Sequence, residues 1–492
     1  MTTSIAGLVH VEAHRGCRRY DRMVFGQFLE HFHRQVYGGI FDPASPLSDA
    51  RGFRKDVMEA LRELRVPVVR WPGGCFASSY HWKDGVGKDR QPSYDKAWRV
   101  EEPNTFGTDE FIAWCRAIGA EPYICTNAGT GTAEEMSDWV EYCNGTCGRW
   151  ARLRMINGHP EPYNVKYWSI GNENYGDLEV GSKKAPEWAA LVTESAKMML
   201  RVDASIRLLT AAVAEPDWTL PLLREAGRYL SYISLHGYWD PLWQTNNPMN
   251  YPDCMARIEK PEQTIRNGES LLLLTGLAQK VAIAFDEWNL RGWHHPHLAG
   301  AEYGDVTARD KNDINATYTM ADAVFSACFL NTCLRHPDSV RMACMAPVVN
   351  TRGPLFVHPE GVVKRTTFHA LAMYASLLAE NVAETWTSGD LIPHEAGSVP
   401  ALDAVATCDA DMKHWRLALV NRHPEEHLAC KVVLPRRTLA GSCKATLLAG
   451  DSPDAFNDVE DAQRVSPVQT ELKFNAGVAS LPPHSVTIVQ ID

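Results

Sequence analysis

Two glutamates that directly follow strand-like apolar segments indicate acid–base chemistry. Glu173 lies in GNEN after the segment YWSI, and Glu287 lies in DEWN after VAIAF. A carboxylate just past a buried barrel strand points into the barrel mouth, where reactive groups collect. Two carboxylates in different surroundings can act as a proton donor and a nucleophile. The pair therefore predicts cleavage of a glycosidic bond, with Glu173 as acid/base and Glu287 as nucleophile.

Other apolar segments also end in polar or aromatic residues, which is the pattern expected of a sugar-binding cleft. Hydroxyls need hydrogen-bonding partners, and the C–H faces of sugar rings stack on aromatic side chains. Trp168 and Trp288 are aromatic candidates, although either one alone is more often a core residue. The polar residues at segment ends include Glu30, Arg70, Asn127, Asn172, His236 and Tyr238.

Eight short apolar runs, separated by amphipathic stretches, must position these side chains. They comprise residues 23–28, 66–72, 121–127, 165–172, 207–214, 232–238, 281–289 and 341–350. Several are apolar throughout, which is typical of parallel strands covered on both faces. Helical patterns, such as 108–120 and 137–144, lie between them. The alternation predicts an α/β fold, a (β/α)8 TIM barrel, whose fourth and seventh strands place the two glutamates across one cleft.

The pattern changes after residue 380, where helical periodicity almost disappears. DAVATCD, WRLALVNR, CKVVLP, KATLLAG and SVTIVQI are short strand-like segments separated by Pro, Gly and Asp turns. This pattern predicts a C-terminal β-sandwich. The first twenty residues carry no barrel signal, and we expect them to add a strand to it. The predicted domains are a catalytic barrel at 22–378 and a sandwich formed by 1–21 with 379–492.

Composition narrows the class of protein. With 492 residues, 45% hydrophobic and 22% charged, the chain is typical of a globular protein with more than one core. A net charge of −11 argues against nucleic acid or a membrane surface as partner. The N-terminus shows no secretory pattern, and the 13 cysteines are scattered, so we expect a reduced, cytoplasmic protein. The proposed chemistry needs no cofactor or metal.

These motifs together resemble one known family. GNE and DEWN resemble the catalytic motifs of the retaining glycosidases with TIM barrels. Beyond them, several segments spread over nearly the whole chain resemble the family 51 α-L-arabinofuranosidases: FGQFLEH (25–31), RWPGG (70–74), YHWKDGVG (80–87), NTFGTDEF (104–111), AGTGTAEE (128–135) and LPPHSVTIVQ (481–490). The resemblance implies a barrel followed by a sandwich that includes the N-terminal strand. It also implies a homo-oligomer, usually a hexamer.

The resemblance assigns roles by position. Asn172 corresponds to the residue that binds the sugar 2-hydroxyl, and Glu30, Arg70 and Tyr238 correspond to residues of the glycone pocket. We expect Arg70 to hold a carboxylate, that of Glu287, by a forked hydrogen bond. The predicted substrate-binding set is Glu30, Arg70, Cys75, Asn172, His236, Tyr238, Trp288 and Pro347.

Two positions of that set depart from the pattern of the family. Cys75 stands where the family usually has Asn, and Pro347 stands where it usually has Gln. Neither replacement can hydrogen-bond a sugar comparably, because a thiol is a weak donor and Pro has no polar side-chain atom. The identity of the substrate sugar therefore stays open: α-L-arabinofuranose is the first candidate, and a β-D-galactofuranoside, a β-xyloside and a β-glucan are alternatives.

The main hypothesis is an exo-acting retaining hydrolase that removes terminal furanosyl residues from oligosaccharides. A non-catalytic carbohydrate-binding relative is a second hypothesis, which the presence of both glutamates disfavours. A third is a metal-dependent barrel hydrolase that uses the histidine-rich segment with His294, His295 and His297. Three converging ligands would be needed for a zinc site there.

Overall fold

Eight parallel strands form a closed barrel in chain order. The computed structural model describes residues 5–13, 16–242, 247–292, 313–394, 397–435 and 437–492. Barrel strands one to eight are Gly26–Phe28, Val68–Trp71, Glu121–Thr126, Tyr167–Ile170, Arg207–Thr210, Tyr232–Asp240, Ala282–Arg291 and Val340–Met345. Neighbours in this order pair in parallel, strand eight pairs with strand one, and an Ala211–Ser234 bridge joins strands five and six. All eight predicted segments are confirmed.

The barrel has two apolar layers. Strands two and four are buried along their whole length, which explains their continuous apolar sequence. Side chains inside the barrel form a cluster of their own, which includes Phe28, Tyr123, Leu209 and Met342. Side chains on the outside belong to a larger core shared with the helices and the sandwich.

Helices surround the strands. They comprise Lys55–Glu63, Thr108–Ile118, Ala133–Asn144, Arg149–Ile156, Ala185–Val202, Pro216–Ala226, Tyr251–Ala256, Lys260–Leu274, Met320–Arg335 and Thr366–Leu377, with short 3-10 turns at Arg22–Phe25, Cys75–Ser78, Trp82–Gly85, Gly227–Tyr229 and Asn315–Thr317. Both predicted helices are present. The second starts earlier than predicted, at Ala133, because the Thr132 side chain accepts a hydrogen bond from the Glu135 backbone N–H and caps the helix.

The C-terminal part is built of antiparallel strands, as predicted. Its strands are Asn381–Gly389, Leu402–Cys408, Trp415–Asn421, Leu428–Val433, Gly441–Leu448, Val468–Phe474, Val478–Leu481 and Ser485–Ile491. The strand Asn381–Gly389 joins its two sheets, pairing with Leu402–Cys408 at its start and with the N-terminal strand further along. The N-terminal strand Ile5–Glu12 also pairs in parallel with Leu428–Val433. It therefore completes the sandwich, as expected.

Smaller elements connect these layers. They are the hairpins Ser93–Asp95 with Val100–Glu102, Leu355–His358 with Gly361–Lys364 and Leu391–His394 with Gly397–Pro400, and the short strand Arg18–Arg19. The last barrel helix ends at Leu377 and the next strand begins at Asn381. The boundary at 378/379 stays a prediction with which these positions agree. No helix in the described ranges is long and apolar enough to cross a membrane.

Candidate active site

The two predicted glutamates meet at the mouth of the barrel, where Glu173 follows strand four and Glu287 lies in the second half of strand seven. A carboxylate oxygen of Glu173, a carboxylate oxygen of Glu287 and a ring nitrogen of His236 all lie within 4.8 Å of one another. Glu173 has a left-handed backbone (φ 42°), a strained conformation that recurs at functional sites. Retaining glycosidases hold their carboxyl groups about 5–5.5 Å apart, whereas inverting enzymes hold them about 6.5–9.5 Å apart. The pair has the closer arrangement.

Two donors hold the Glu287 carboxylate. Arg70 donates from Nη1 to Oε2 at 2.7 Å, and the Tyr238 hydroxyl donates to Oε1 at 2.6 Å. The Glu287 side chain is 9% exposed, so little water competes for these bonds. Both carboxylate oxygens are thus held by fixed groups, which gives the carboxylate a single orientation, as a nucleophile would need.

Arg70 links two pocket residues instead of forking onto one carboxylate. Its Nη2 donates to the Asn172 amide oxygen at 2.6 Å, while Nη1 serves Glu287. The forked bond predicted from the sequence is therefore wrong, although the contact with Glu287 is present. The Arg70 side chain has no exposed surface, because it lies at the floor of the site with Phe28 beneath its guanidinium. Arg70 therefore fixes the positions of Glu287 and Asn172 relative to each other.

His236 forms an ion pair with Glu173. Its Nδ1 lies 2.7 Å from Oε1 of Glu173, and the Tyr175 hydroxyl is a weaker donor to the same oxygen at 3.4 Å. Burial raises the pKa of the Glu173 carboxyl, but the hydrogen bond and charge of His236 outweigh it and hold that pKa below its ordinary value. Burial alone would lower the pKa of His236, yet Glu287, Asp286 and Glu173 together raise it to about 10. The shared proton therefore rests on the imidazole.

Asp286 supports this arrangement from beneath. It accepts hydrogen bonds from the hydroxyls of Tyr123 and Ser234, each at 2.5 Å, and Nε2 of His236 lies 3.5 Å away. Burial opposes its charge, but Arg70 and His236 lower the pKa of Asp286 to about 2. Asp286 therefore stays ionised and favours the imidazolium form of His236.

The glycine pair of RWPGG makes room for Glu30. A Cβ added to Gly73 would lie 2.3 Å from Cγ of Glu30, and the backbone of Gly73 has φ 141°. One Glu30 oxygen accepts from the Phe76 backbone N–H and from the Trp98 indole, both at 2.9 Å. Burial, and then the Glu287 carboxylate, raise the pKa of Glu30 well above its usual range. Glu30 is therefore held in one orientation, close enough to Glu287 for the two carboxylates to repel each other.

A further acid, Glu179, lies in the same pocket. It accepts from the Ser78 hydroxyl at 2.5 Å and from the Asn172 amide at 3.4 Å. One atom each of Cys75, Glu173 and Glu179 lie within 4.8 Å of one another. Burial and the Glu173 carboxylate raise the pKa of Glu179 to about 7. Nothing in the sequence marks Glu179, because it lies in the loop beyond strand four and outside any recognisable motif.

Comparisons with known proteins agree with this geometry. Residues 60–257 match the family model of the α-L-arabinofuranosidase 1 domain, and residues 286–485 match that of the α-L-arabinofuranosidase C-terminal domain. The α-L-arabinofuranosidase C of Emericella nidulans is 34% identical over 514 residues, covering 98% of this chain and 97% of the relative. The chain belongs to the α-L-arabinofuranosidases, and it is a glycoside hydrolase.

Other members of the family extend the match. An intracellular exo-α-(1→5)-L-arabinofuranosidase of Halalkalibacterium halodurans is 33% identical, covering 83% of both chains. An α-L-arabinofuranosidase of Thermotoga maritima, solved with arabinose, superposes with a TM-score of 0.86 at 32% identity, covering 99% of this chain and 100% of that one. A family 51 α-L-arabinofuranosidase of Bifidobacterium longum superposes with a TM-score of 0.88 at 30% identity, covering 100% of both chains. The chain is thus a family 51 enzyme throughout its barrel and sandwich.

Neither of the two tryptophans predicted as candidates for stacking on a sugar lies in the cleft of this family 51 enzyme. Trp288 is 1% exposed, and its ring stacks on Phe329 of the helix Met320–Arg335 with centroids 3.9 Å apart. Trp168 has no exposed surface and packs edge-on against Trp139. The prediction that Trp288 contacts the sugar is corrected: alternate residues of a strand point to opposite faces, so Trp288 points away from the pocket that Glu287 enters.

Cys75 lies beside Glu173 and Glu179, and Pro347 follows strand eight; neither has the polarity of the Asn and Gln usual in the family. Burial, followed by the Glu179, Glu30 and Glu173 carboxylates, raises the pKa of Cys75 well above its usual range. The protonated thiol is not a nucleophile. Pro347 is buried in the loop that follows strand eight. Contact of either residue with a sugar stays a prediction.

The metal hypothesis stays a prediction, because the segment with His294, His295 and His297 lies outside the described residues. The two described groups whose geometry could hold an ion are Cys75–Glu173–Glu179 and Glu173–His236–Glu287, and both include the acid of the carboxylate pair.

A large cavity lies elsewhere among the described residues. It has a volume of about 890 Å³ and is lined by residues of two barrel helices and of the sandwich. Two of its charged groups have partners: Arg335 pairs with Asp403, and His336 pairs with Glu262 and Glu269. The barrel mouth, where two glutamates approach each other, remains the better candidate for an active site.

Proposed function

We propose that the protein is a retaining, exo-acting α-L-arabinofuranosidase in which Glu173 is the acid/base and Glu287 is the nucleophile. The observation that carries the proposal is the close approach of these carboxylates, with an oxygen of each within 4.8 Å of the other. Such spacing leaves no room for a water molecule between the carboxylate and the sugar, so the carboxylate itself attacks.

In the first step, Glu287 attacks the anomeric carbon while the glycosidic oxygen leaves. Glu173 delivers the proton that the leaving oxygen needs, and His236, whose Nδ1 lies 2.7 Å away, supplies that proton to Glu173. The step leaves a glycosyl ester on Glu287 and a neutral imidazole. Asn172 hydrogen-bonds the sugar 2-hydroxyl, an interaction that strengthens in the transition state.

In the second step, water replaces Glu287. Glu173, now an unprotonated carboxylate, removes a proton from water, which attacks the anomeric carbon and breaks the ester bond. The proton returns to His236 through Glu173, and Arg70 and Tyr238 receive the released Glu287 carboxylate. Two inversions restore the original anomeric configuration.

The substrate assignment draws on the relatives. The Thermotoga maritima structure contains arabinose, and the Halalkalibacterium halodurans enzyme is named for exo cleavage of α-(1→5) linkages. We propose terminal α-L-arabinofuranosyl residues of oligosaccharides as substrate, with Glu30 and Tyr238 among the residues that contact the sugar. Cys75 and Pro347 keep a second candidate open, a different sugar such as a β-D-galactofuranoside, β-xyloside or β-glucan.

A panel of nitrophenyl glycosides separates these candidates. The arabinofuranoside should be cleaved fastest, and galactofuranoside, xylopyranoside and cellobioside should be cleaved slowly. Faster cleavage of one of these three would replace arabinose as the sugar, and inactivity on all four would favour a non-catalytic binding protein. Unchanged activity after EDTA treatment would exclude the metal-dependent alternative.

Two variants test the assigned roles. Glu287→Ala should lower turnover by at least about 1,000-fold, because no other group can form the ester. Glu173→Ala should keep measurable activity only with a good leaving group, and azide should restore part of its turnover by replacing the water that lacks a base. Substantial activity in Glu287→Ala would refute the nucleophile. A lack of azide rescue would count against Glu173 as the base.

We further propose a cytoplasmic homo-oligomer, by family resemblance a hexamer, with no nucleic acid or membrane as partner. Light scattering coupled to size-exclusion chromatography measures the mass directly, and a monomer would contradict the proposal.

A further inference from the structure

Arg352 carries a buried charge beside the nucleophile, and neither the motifs nor the mechanism above uses it. The residue is 5% exposed and lies in the loop that follows strand eight. Its Nη2 donates to the Tyr238 hydroxyl at 2.9 Å, and its guanidinium lies 4.4 Å from the centroid of the Tyr238 ring. Tyr238 in turn donates to Glu287 at 2.6 Å.

The contacts of Arg352 are unusual for a buried cation. Its Nε donates to the Ala346 carbonyl at 3.2 Å, and its Nη1 has no partner among the described residues. None of these partners is a carboxylate, although burying a guanidinium normally requires one. The nearest negative charge along this chain of contacts is Glu287, which Arg352 reaches through Tyr238.

The chain of contacts has only one possible direction. A guanidinium has donors but no acceptor, so the Tyr238 oxygen must accept from Arg352. The hydroxyl hydrogen is then left for Glu287, whose carboxylate can only accept. Arg352 thereby determines which way the Tyr238 hydroxyl points and strengthens it as a donor, because hydrogen bonds in series polarise one another.

The loop that carries Arg352 is fixed in position relative to Glu287. Asn289, two residues beyond Glu287 on strand seven, donates its amide to the carbonyls of both Ala346 and Arg352, each at 2.9 Å. Displacement of the loop would therefore break contacts with the strand that bears Glu287. The position of Arg352 is defined relative to the attacking carboxylate.

We propose that Arg352 is a positioning residue for Glu287, acting through Tyr238 in the attack on the sugar. The proposal rests on the proposed function, in which Glu287 is the nucleophile. Arg352 keeps the Tyr238 hydroxyl directed at the carboxylate, which holds Glu287 in line with the anomeric carbon. The same contact helps to receive the carboxylate when the ester breaks.

A double-mutant cycle tests this route. Arg352→Gln should lower kcat/KM for nitrophenyl α-L-arabinofuranoside by about 10- to 100-fold in the parent enzyme, mainly through kcat. In a Tyr238→Phe background the same change should cost less than about threefold, because the relay is already broken. Arg352→Lys keeps the charge and should recover part of the loss. If Arg352→Gln does not fold, Arg352→Lys takes its place in the same double-mutant cycle. Equal losses in both backgrounds would overturn the proposal.

Arg365, which lies between the hairpin strand Gly361–Lys364 and the helix Thr366–Leu377, offers a matched control. It is buried and donates to the carbonyls of Thr351 and Gly353, on either side of Arg352, but makes no contact with Tyr238. Any loss of kcat/KM in Arg365→Gln should be the same with and without Tyr238→Phe. If the control shows the same non-additivity as Arg352→Gln, the effect of Arg352 is merely structural.

A second measurement separates this proposal from the function on which it rests. In Glu173→Ala, a dinitrophenyl α-L-arabinofuranoside should give a burst of one phenol per active site and a glycosyl adduct on Glu287, detected by peptide mass spectrometry. Adding Arg352→Gln should slow the burst by about tenfold or more and leave its amplitude unchanged. A missing adduct refutes Glu287 as nucleophile, whereas a normal adduct formed at an unchanged rate refutes only the role of Arg352.

Discussion

At the scale of single residues, His236 determines where the proton that it shares with Glu173 resides. Its Nδ1 contacts Glu173 and its Nε2 lies beside Asp286, so a cation lies between acidic groups. The raised pKa, about 10, means that the His236–Glu173 pair keeps one proton over the whole neutral range. Because the folded-state pKa lies above the unfolded one, this charge stabilises the fold fully below about pH 6.5 and less as pH rises towards 10.

Replacing His236 should move the pH profile. In His236→Gln the proton must stay on Glu173 itself, so the basic limb of kcat/KM should shift to lower pH and the maximum should fall by about tenfold or more. Ser234→Ala is the control: it removes a hydroxyl 3.1 Å from the other ring nitrogen but leaves the imidazole facing Glu173. An unchanged basic limb in His236→Gln would show that the proton does not pass through the imidazole.

Glu179 should make stability fall between mildly acidic and neutral pH. Its pKa is raised from 4.5 to about 7, so the folded protein binds the extra proton and loses stability as pH rises through this window. When the pH is raised from 5 to 8, the free energy of unfolding of Glu179→Gln should rise by up to about 3 kcal/mol relative to that of the parent. Urea unfolding at both pH values measures this, with Glu59→Gln on an exposed helix surface as control. Parallel curves for parent and Glu179→Gln would contradict the expectation.

At the scale of elements, neighbouring side chains of strand seven lie in two different environments. Glu287 enters the pocket, where Arg70 and Tyr238 bind it, and Trp288 packs against Phe329 in the helix layer. The period-two alternation of a strand makes this separation unavoidable once either residue is placed. The loop after strand eight then adds Arg352 from the neighbouring strand end.

Trp288→Phe should accordingly spare catalysis. It keeps an aromatic ring on Phe329 and should change kcat/KM by less than about threefold, at a cost of about 1–2 kcal/mol in unfolding free energy. Tyr238→Phe is the contrasting variant, because it removes a donor to Glu287 and should lower kcat. A large rise in KM for oligosaccharides in Trp288→Phe would contradict this expectation and indicate that Trp288 contacts the substrate.

At the scale of the whole molecule, a buried ion cluster ties the barrel to the sandwich. Asp403 of the sandwich accepts from Arg335 and Asn331 of a barrel helix at 2.7 and 3.1 Å, and Arg422 lies 3.3 Å away. Burial raises the pKa of Asp403, but the two arginines outweigh it and lower that pKa below its usual range. The cluster keeps its full charge at neutral pH and couples the two units.

Asp403→Asn should weaken that coupling. It leaves two guanidinium groups without their counter-charge, at an expected cost of about 3–5 kcal/mol in unfolding free energy. Calorimetry should show a lower first transition and separate unfolding of barrel and sandwich. The exposed pair Arg18–Asp338 also joins the two units, so Asp338→Asn is the control and should cost at most about 1 kcal/mol. Equal effects of the two variants would place the coupling elsewhere.

Local sequence pattern suffices to predict the barrel, the sandwich and the close approach of Glu173 and Glu287. Strand and helix periods depend on near neighbours, and parallel strands of a barrel all end at one face, so polar strand ends must converge. Glu173, Glu287 and the pocket position of Glu30 could be predicted in this way.

Other features depend on contacts between distant parts of the chain, which only the tertiary structure decides. Arg352 reaches Tyr238 across 114 residues, and Glu179 reaches Ser78 across 101 residues from a loop without a motif. The Arg70 guanidinium donates to both Glu287 and Asn172 because both lie within reach in the folded barrel. A side chain's type indicates what it can bind, whereas burial and packing select its partner and hence where the protons and charges of the site reside.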